Sequence, residues 1–182
     1  MKRRDIIKYT TMATGAAISA PLMSVLFSGC QTDVVVPTTS ELSLFSSAEF
    51  DTLKIVVDTM LPDTDSPSAS AVGVHTMIDH MVGTVYDKEA RDSFKSDFDV
   101  LYSHLSDKNF DKMTGDNQLF TLVDAAKNDQ LKPGLQAVKQ QAIVYYLSSE
   151  EIAKNYLNYL PVPGAWESCI SLEEAGGKKW AI

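Results

Sequence analysis

His75, Asp79 and His80 are the residues of this chain whose types come nearest to a metal site. Their spacing argues against one. On a helix of 3.6 residues per turn, His75 and His80 stand about 140° apart, whereas a shared metal needs two ligands on one face, as a spacing of four provides. His75 and Asp79 lie one turn apart and can pair as neighbours. Asp63 and Asp65 alternate in a Ser/Thr-rich loop, loosely as calcium ligands do. A calcium loop needs further acids at fixed offsets and a bidentate Glu, so capping and turn chemistry fits these two better. His104 is alone on its segment, and no Ser/His/Asp order or Cys/His pair stands out. Gly176-Gly177 lacks the strand and the third glycine of a phosphate loop, and there is no Cys-x-x-Cys-His haem motif. The pairs Glu150-Glu151 and Glu173-Glu174 read as helix-start or solvent charges. The pattern therefore points to no catalytic, cofactor-binding or metal-binding residues on this chain.

The elements that would have to position any such group are helical. Phe50, Leu53, Val57, Met60 and Leu61 form one stripe from Ser47, closed by Pro62. A second helix is expected over roughly 72–86, with Val74, Met77, Ile78, Met81, Val82 and Val85 inward. Asp87 caps a third, whose inward set is Phe94, Phe98, Leu101, Tyr102 and Leu105. A fourth, over roughly 116–127, carries Leu119, Phe120 and Val123 as its core face. Pro133 suits the first turn of a fifth, with Leu135, Val138, Ala142 and Tyr146 inward. Ser148 and Glu151 form a capping box for a short sixth that ends at Pro161. No alternating strand of useful length appears. The expected fold is all-α, a compact bundle of about five to six helices with an irregular C-terminal tail. That tail, 161–182, opens on the stiff turn Pro161-Val162-Pro163-Gly164 and carries Trp166, Cys169 and Trp180. Trp is enriched at interface hot spots, so the tail either grips another chain or wraps its own bundle.

The N-terminus reads as an export address. Lys2-Arg3-Arg4 precedes an uncharged run from Tyr9 to Gly29, and Cys30 follows. Paired arginines before a mildly apolar segment resemble a twin-arginine signal, a route for cargo that is already folded. Small residues before Cys30 resemble a lipoprotein cleavage box. An uncleaved membrane anchor and the general secretory route are the alternatives. Residues 1–29 form the signal, 30–46 a lipid-anchored tether containing Pro37, 47–160 the helical domain and 161–182 the tail. Removing 29 of 182 residues leaves 153, enough for one domain with a real core. Four basic residues and one acidic make the leader +3, so a chain of net charge −8 matures to −11. That excludes nucleic acid as a partner and disfavours a domain lying flat on anionic lipid. With Cys30 lipidated, Cys169 is left over as an intermolecular bond, a free thiol or a buried inert residue.

Three stretches together resemble the gluconate 2-dehydrogenase subunit 3 family. One is the leader from Arg3-Arg4 to Cys30. Another is Val57 to Pro67, read Val-Asp-Thr-Met-Leu-Pro-Asp-Thr-Asp-Ser-Pro, with Ala71-Val72-Gly73-Val74 and Ile78-Asp79. The last and most specific is Tyr159-Leu160-Pro161-Val162-Pro163-Gly164, with Cys169 and Leu172-Glu173-Glu174-Ala175-Gly176-Gly177. The resemblance implies a small non-catalytic subunit of a membrane-associated sugar or sugar-acid dehydrogenase. Its large subunit would be an FAD flavoprotein of the glucose–methanol–choline type, and some such complexes add a multihaem cytochrome c. The small subunit would carry the flavoprotein through the twin-arginine pore into the periplasm or cell envelope and tether it through Cys30. Pro161, Pro163, Gly164, Trp166, Cys169 and Trp180 would grip the large subunit, with Cys169 as a covalent staple. The reading from another class is a stand-alone envelope lipoprotein serving as a binding or structural module.

Overall fold

The computed structural model describes residues 42–162, 164 and 169–181. The export-signal residues Arg3 and Arg4, the lipidation site Cys30, and the tail residues Pro163 and Trp166 lie outside the described residues. The described domain is helical, in the order α1 (Ser47–Met60), α2 (Val74–His80) running into a π turn (Met81–Val85), α3 (Lys88–Asp107), a 3₁₀ turn (Phe110–Lys112), α4 (Gly115–Ala125), α5 (Lys132–Ser148) and α6 (Glu150–Asn155). Among the described residues no helix is long and apolar enough to cross a membrane.

Local chemistry sets most of these boundaries. Ser46 opens α1 with a capping box: its hydroxyl faces the Glu49 amide, and Glu49 accepts from the Ser46 backbone at 2.8 Å. The Ser-x-x-Glu spacing at 46–49 carried that signal. Asp87 caps α3 as expected, accepting from the Ala90 amide at 2.8 Å. Pro133 occupies the first turn of α5, where a missing N–H costs nothing. Lys95 of α3 reaches Glu49 of α1 at 2.9 Å and also pairs with Asp99. Burial pushes Glu49 up, but the hydrogen bonds from Lys95 and Ser46 outweigh it and hold the carboxyl below its ordinary range.

The core runs through Leu53, Val56, Val57, Ile78, Phe98, Leu101, Leu105, Phe110, Val138 and Ala142. The inward faces expected of α3 and α5 are found there, with Tyr102 packed at the margin. α5 crosses α3 closely because Gly134 has no side chain. A Cβ at that position would overlap the Asp97 carbonyl oxygen and stand 2.9 Å from its carbon.

Six expectations are corrected. The end of the tether is part of the domain: Phe45 is 4% exposed, with its ring 4.7 Å from that of Phe98. This segment, a strap at residues 43–45, is held by Asp79, which does not pair with His75. Its carboxylate accepts from the Ser43, Leu44 and Phe45 amides at 2.8, 3.0 and 3.1 Å. Gly83 lets the strap pass, since a Cβ there would lie 2.6 Å from Ser43 Cβ. In the second helix Met77 and Val85 are exposed, and the buried face is Val74, Ile78, Asp79 and Val82. Asp79 must face the strap, which turns Met77 outward. The π turn then shifts the register before Val85, as the Tyr86 amide bonds back to the Met81 carbonyl.

α4 forms where expected, but Leu119, Phe120 and Val123 face water, and Thr121, Leu122 and Ala125 are buried instead. Both sides of this helix are apolar, so periodicity cannot choose between them. The start of α6 is Ser149, not a Ser148–Glu151 box; the Ser149 hydroxyl donates back to the Tyr146 carbonyl at 2.7 Å. The helix ends at Asn155, before Pro161, because Asn158 leaves it to pair with the tail.

Replacing Asp79 with Ala strands three amides at the strap, where each lost partner costs about 1 kcal/mol or more. Asp79→Ala is expected to lower domain stability by about 3 kcal/mol and to speed hydrogen exchange at residues 43–45. Unchanged exchange there would show that the carboxylate does not hold the strap.

Candidate partner-docking surface

The tail is built around one side chain. Asn158 forms a parallel bridge with Trp180: its amide donates to the Lys179 carbonyl at 2.8 Å, and its carbonyl accepts from Ala181 at 2.9 Å. Its side-chain amide also donates to the Lys178 carbonyl at 2.7 Å and to that of Ala175. Lys178 in turn reaches the Asn155 carbonyl at 3.1 Å. This carries the chain end back to the foot of α6.

Between these contacts the tail makes its own turn. Ser171 and Glu174 bond reciprocally, amide to carboxylate at 2.8 Å and amide to hydroxyl at 3.2 Å. The bond from the Ser171 amide, and the Ser171 hydroxyl after it, hold the Glu174 carboxyl below its ordinary range. Gly176 and Gly177, at φ 75° and 77°, end the turn in the left-handed conformation that glycine adopts at little cost. Glu174 thus caps a turn, not a helix, and both Glu173 and Glu174 are exposed to solvent.

The result is a shallow hollow of about 320 Å³ lined by Asn158, Tyr159, Leu160, Glu174, Ala175 and Trp180. Trp180 is half exposed beside it, and Tyr159, Leu160, Val162 and Leu172 are exposed too. Of the tail residues singled out in the sequence, Trp180 lines the hollow, whereas Pro161, Gly164 and Cys169 are exposed outside its lining. Cys169 forms no disulfide among the described residues and has φ 62°, a conformation that side chains other than glycine rarely hold.

Sequence reasoning missed the second surface. On α4, Phe120 is 69% exposed, Leu119 52% and Val123 44%. Residues 119, 120 and 123 fall within about 100° of one another on a helix, so they share one face. Thr121, turned inward, has its hydroxyl satisfied by the Asn117 carbonyl at 2.8 Å. The signal was available as apolar residues on both faces of a helix at the domain margin.

The histidines and loop acids build no reactive centre. His75 packs on Phe50, ring centres 5.0 Å apart, and its buried Nδ1 has no partner among the described residues. Burial first and Lys54 second push its pKa down, with Asp58 opposing. Asp58 is the loop's real anchor, accepting from the Ser70 amide at 2.7 Å, while Asp63 and Asp65 stay in water. The Tyr146 hydroxyl donates to the Pro67 carbonyl at 2.7 Å and sits 2.8 Å from Ser66 Oγ, which stitches this loop onto α5. Among the described residues no three His, Cys, Asp or Glu gather as metal ligands.

The surface is thus rich in uncovered large apolar groups. No curated protein and no solved structure matches the chain. The family model described as gluconate 2-dehydrogenase subunit 3 matches residues 47–164, which spans α1 to α6 and the start of the tail. By that match, the chain belongs to the gluconate 2-dehydrogenase subunit 3 family.

Proposed function

We propose that this chain is the non-catalytic small subunit of a membrane-associated, FAD-dependent sugar or sugar-acid dehydrogenase of the glucose–methanol–choline type. It binds the flavoprotein, escorts it through twin-arginine export by way of Arg3-Arg4, and tethers it through a lipid on Cys30 in the periplasm or envelope. FAD belongs to the companion, and haem c to a third subunit where one is present. The observation that carries this reading is the uncovered apolar surface on α4 and the tail of a member of a family described as a dehydrogenase subunit. Monomeric proteins rarely leave such groups contiguous in water, and a partner chain covers them at low cost. In this reading Cys169 bonds a cysteine of the companion, which its exposure supports.

Co-expression with a flavoprotein large subunit of the glucose–methanol–choline type tests the proposal. The chain alone is expected to be colourless and without dye-linked dehydrogenase activity. Together the two chains are expected to yield FAD and activity in the membrane fraction, and a non-reducing gel would show them joined through Cys169. Changing Arg3-Arg4 to Lys-Lys is expected to leave both in the cytoplasm. A flavoprotein that still reached the envelope, or sugar oxidation by the purified single chain, would overturn the reading.

A further inference from the structure

Among the described residues the end of the tail is fastened to the helical domain at one place. None of residues 169–181 is buried, and only Ala175 and Ala181 are even half-buried. The apolar core and the side chains packed on its margin end at Leu157. Five hydrogen bonds join this segment to the domain: four are made by Asn158, and the fifth runs from Lys178 to the Asn155 carbonyl. The segment's remaining bonds are its own. The Ala175, Gly176 and Gly177 amides donate to the Ser171, Glu173 and Leu172 carbonyls at 3.1, 2.9 and 2.7 Å. Such a turn keeps its shape when it swings away from the domain.

We infer that the tail is a clasp that opens and closes on Asn158 as one unit while the helical domain stays folded. Apolar burial is what ties a segment to global unfolding, and this one has almost none. Its bonds lie near water, which replaces each broken partner at small net cost. The hollow at the foot of α6 belongs to the closed form alone. Asn158, Tyr159 and Leu160 line it from the domain side, and Glu174, Ala175 and Trp180 from the tail. Opening parts the two sides and carries Trp180 away from Tyr159. A chain that docks on this surface selects the closed form, and its apparent affinity falls with the fraction of molecules that are open. Asn158 is the positioning residue. Among the described residues no other side chain donates to the Ala175 and Lys178 carbonyls.

Amide exchange on the full chain in detergent, followed by NMR, tests the clasp without a companion. The Asn158 and Ala181 amides, whose bonds cross it, are expected to share one opening constant. That constant should be at least about a hundredfold larger than the one for Val138 and Ala142 in the core of α5. Asn158→Ala removes both side-chain bonds and should cut protection at Ala181 by about tenfold or more. Protection at Val138 should not change, and the melting temperature should stay within about 2 °C of wild type. Asn155→Ala should keep wild-type protection at Ala181, because Lys178 uses only the backbone carbonyl there. With Trp166→Phe in every chain, Trp180 is the sole indole, and Asn158→Ala should raise its quenching by acrylamide. Equal protection at Ala181 and Val138 in the wild-type chain would overturn the inference, since the tail would then unfold only with the domain. A melting temperature that falls together with Ala181 protection in Asn158→Ala, or Ala181 protection that this change leaves intact, would overturn it as well.

Discussion

Phe120→Asp is expected to release the companion dehydrogenase while leaving the small subunit folded. The side chain is 69% exposed, so the domain loses little by its replacement. In the complex the same site would place a carboxylate against an apolar partner surface, with no counter-charge supplied. Truncating a hot-spot aromatic costs about 2 kcal/mol or more, and desolvating an unpaired charge adds to that. A loss of at least about thirtyfold in affinity follows. Pull-down of flavin absorbance from detergent-solubilised membranes measures it, with circular dichroism to check the fold. Leu122→Asp, on the buried side of the same helix, is the control: it should unfold the domain and not selectively free the partner. Equal flavin recovery with Phe120→Asp would mean that the α4 face lies outside the interface, and the assembly contact would then rest on the tail.

Gly134→Val is expected to have the largest effect on folding. The position is buried where α5 crosses α3, and even a methyl group would strike the Asp97 carbonyl. The obstacle is backbone, so no side chain can rotate away. The two longest helices would have to move apart, which would loosen Phe98, Leu101 and Val138 at the centre of the core. Overpacking costs about 1–3 kcal/mol where side chains can adjust, and more is expected here. For a domain of this size, 3 kcal/mol corresponds to a fall of about 6–12 °C in melting temperature. Gly134→Ala should show part of the same loss. A thermal melt within 2 °C of wild type for the valine variant would refute the close crossing.

Neither position was legible in the chain alone, for different reasons. Gly134 follows Pro133 at a helix start, where glycine has an ordinary turn explanation, and only the neighbouring Asp97 shows its packing role. Phe120 belonged to an apolar stripe that looked like core. The tail was legible in part. Its residues were singled out as unusual, yet Asn158, which organises the tail through hydrogen bonds to residues 17 or more positions away, gave no local signal.

By itself the sequence determined the all-α class, the order of the helices, the Asp87 cap, the Pro133 start and the inward faces of α3 and α5. Each depends on groups within about one or two helical turns, where backbone geometry alone fixes which side chains are neighbours. Family membership was legible because the Val57–Pro67 stretch and the Tyr159–Gly164 turn are contiguous motifs, and both lie within the matched residues 47–164. The tertiary structure alone decided which of two apolar sides α4 buries, that Asp79 serves the strap at residues 43–45, and that the tail returns to Asn158. In each case the deciding partner lies far along the chain, and a free energy set by long-range contact cannot be read from local periodicity.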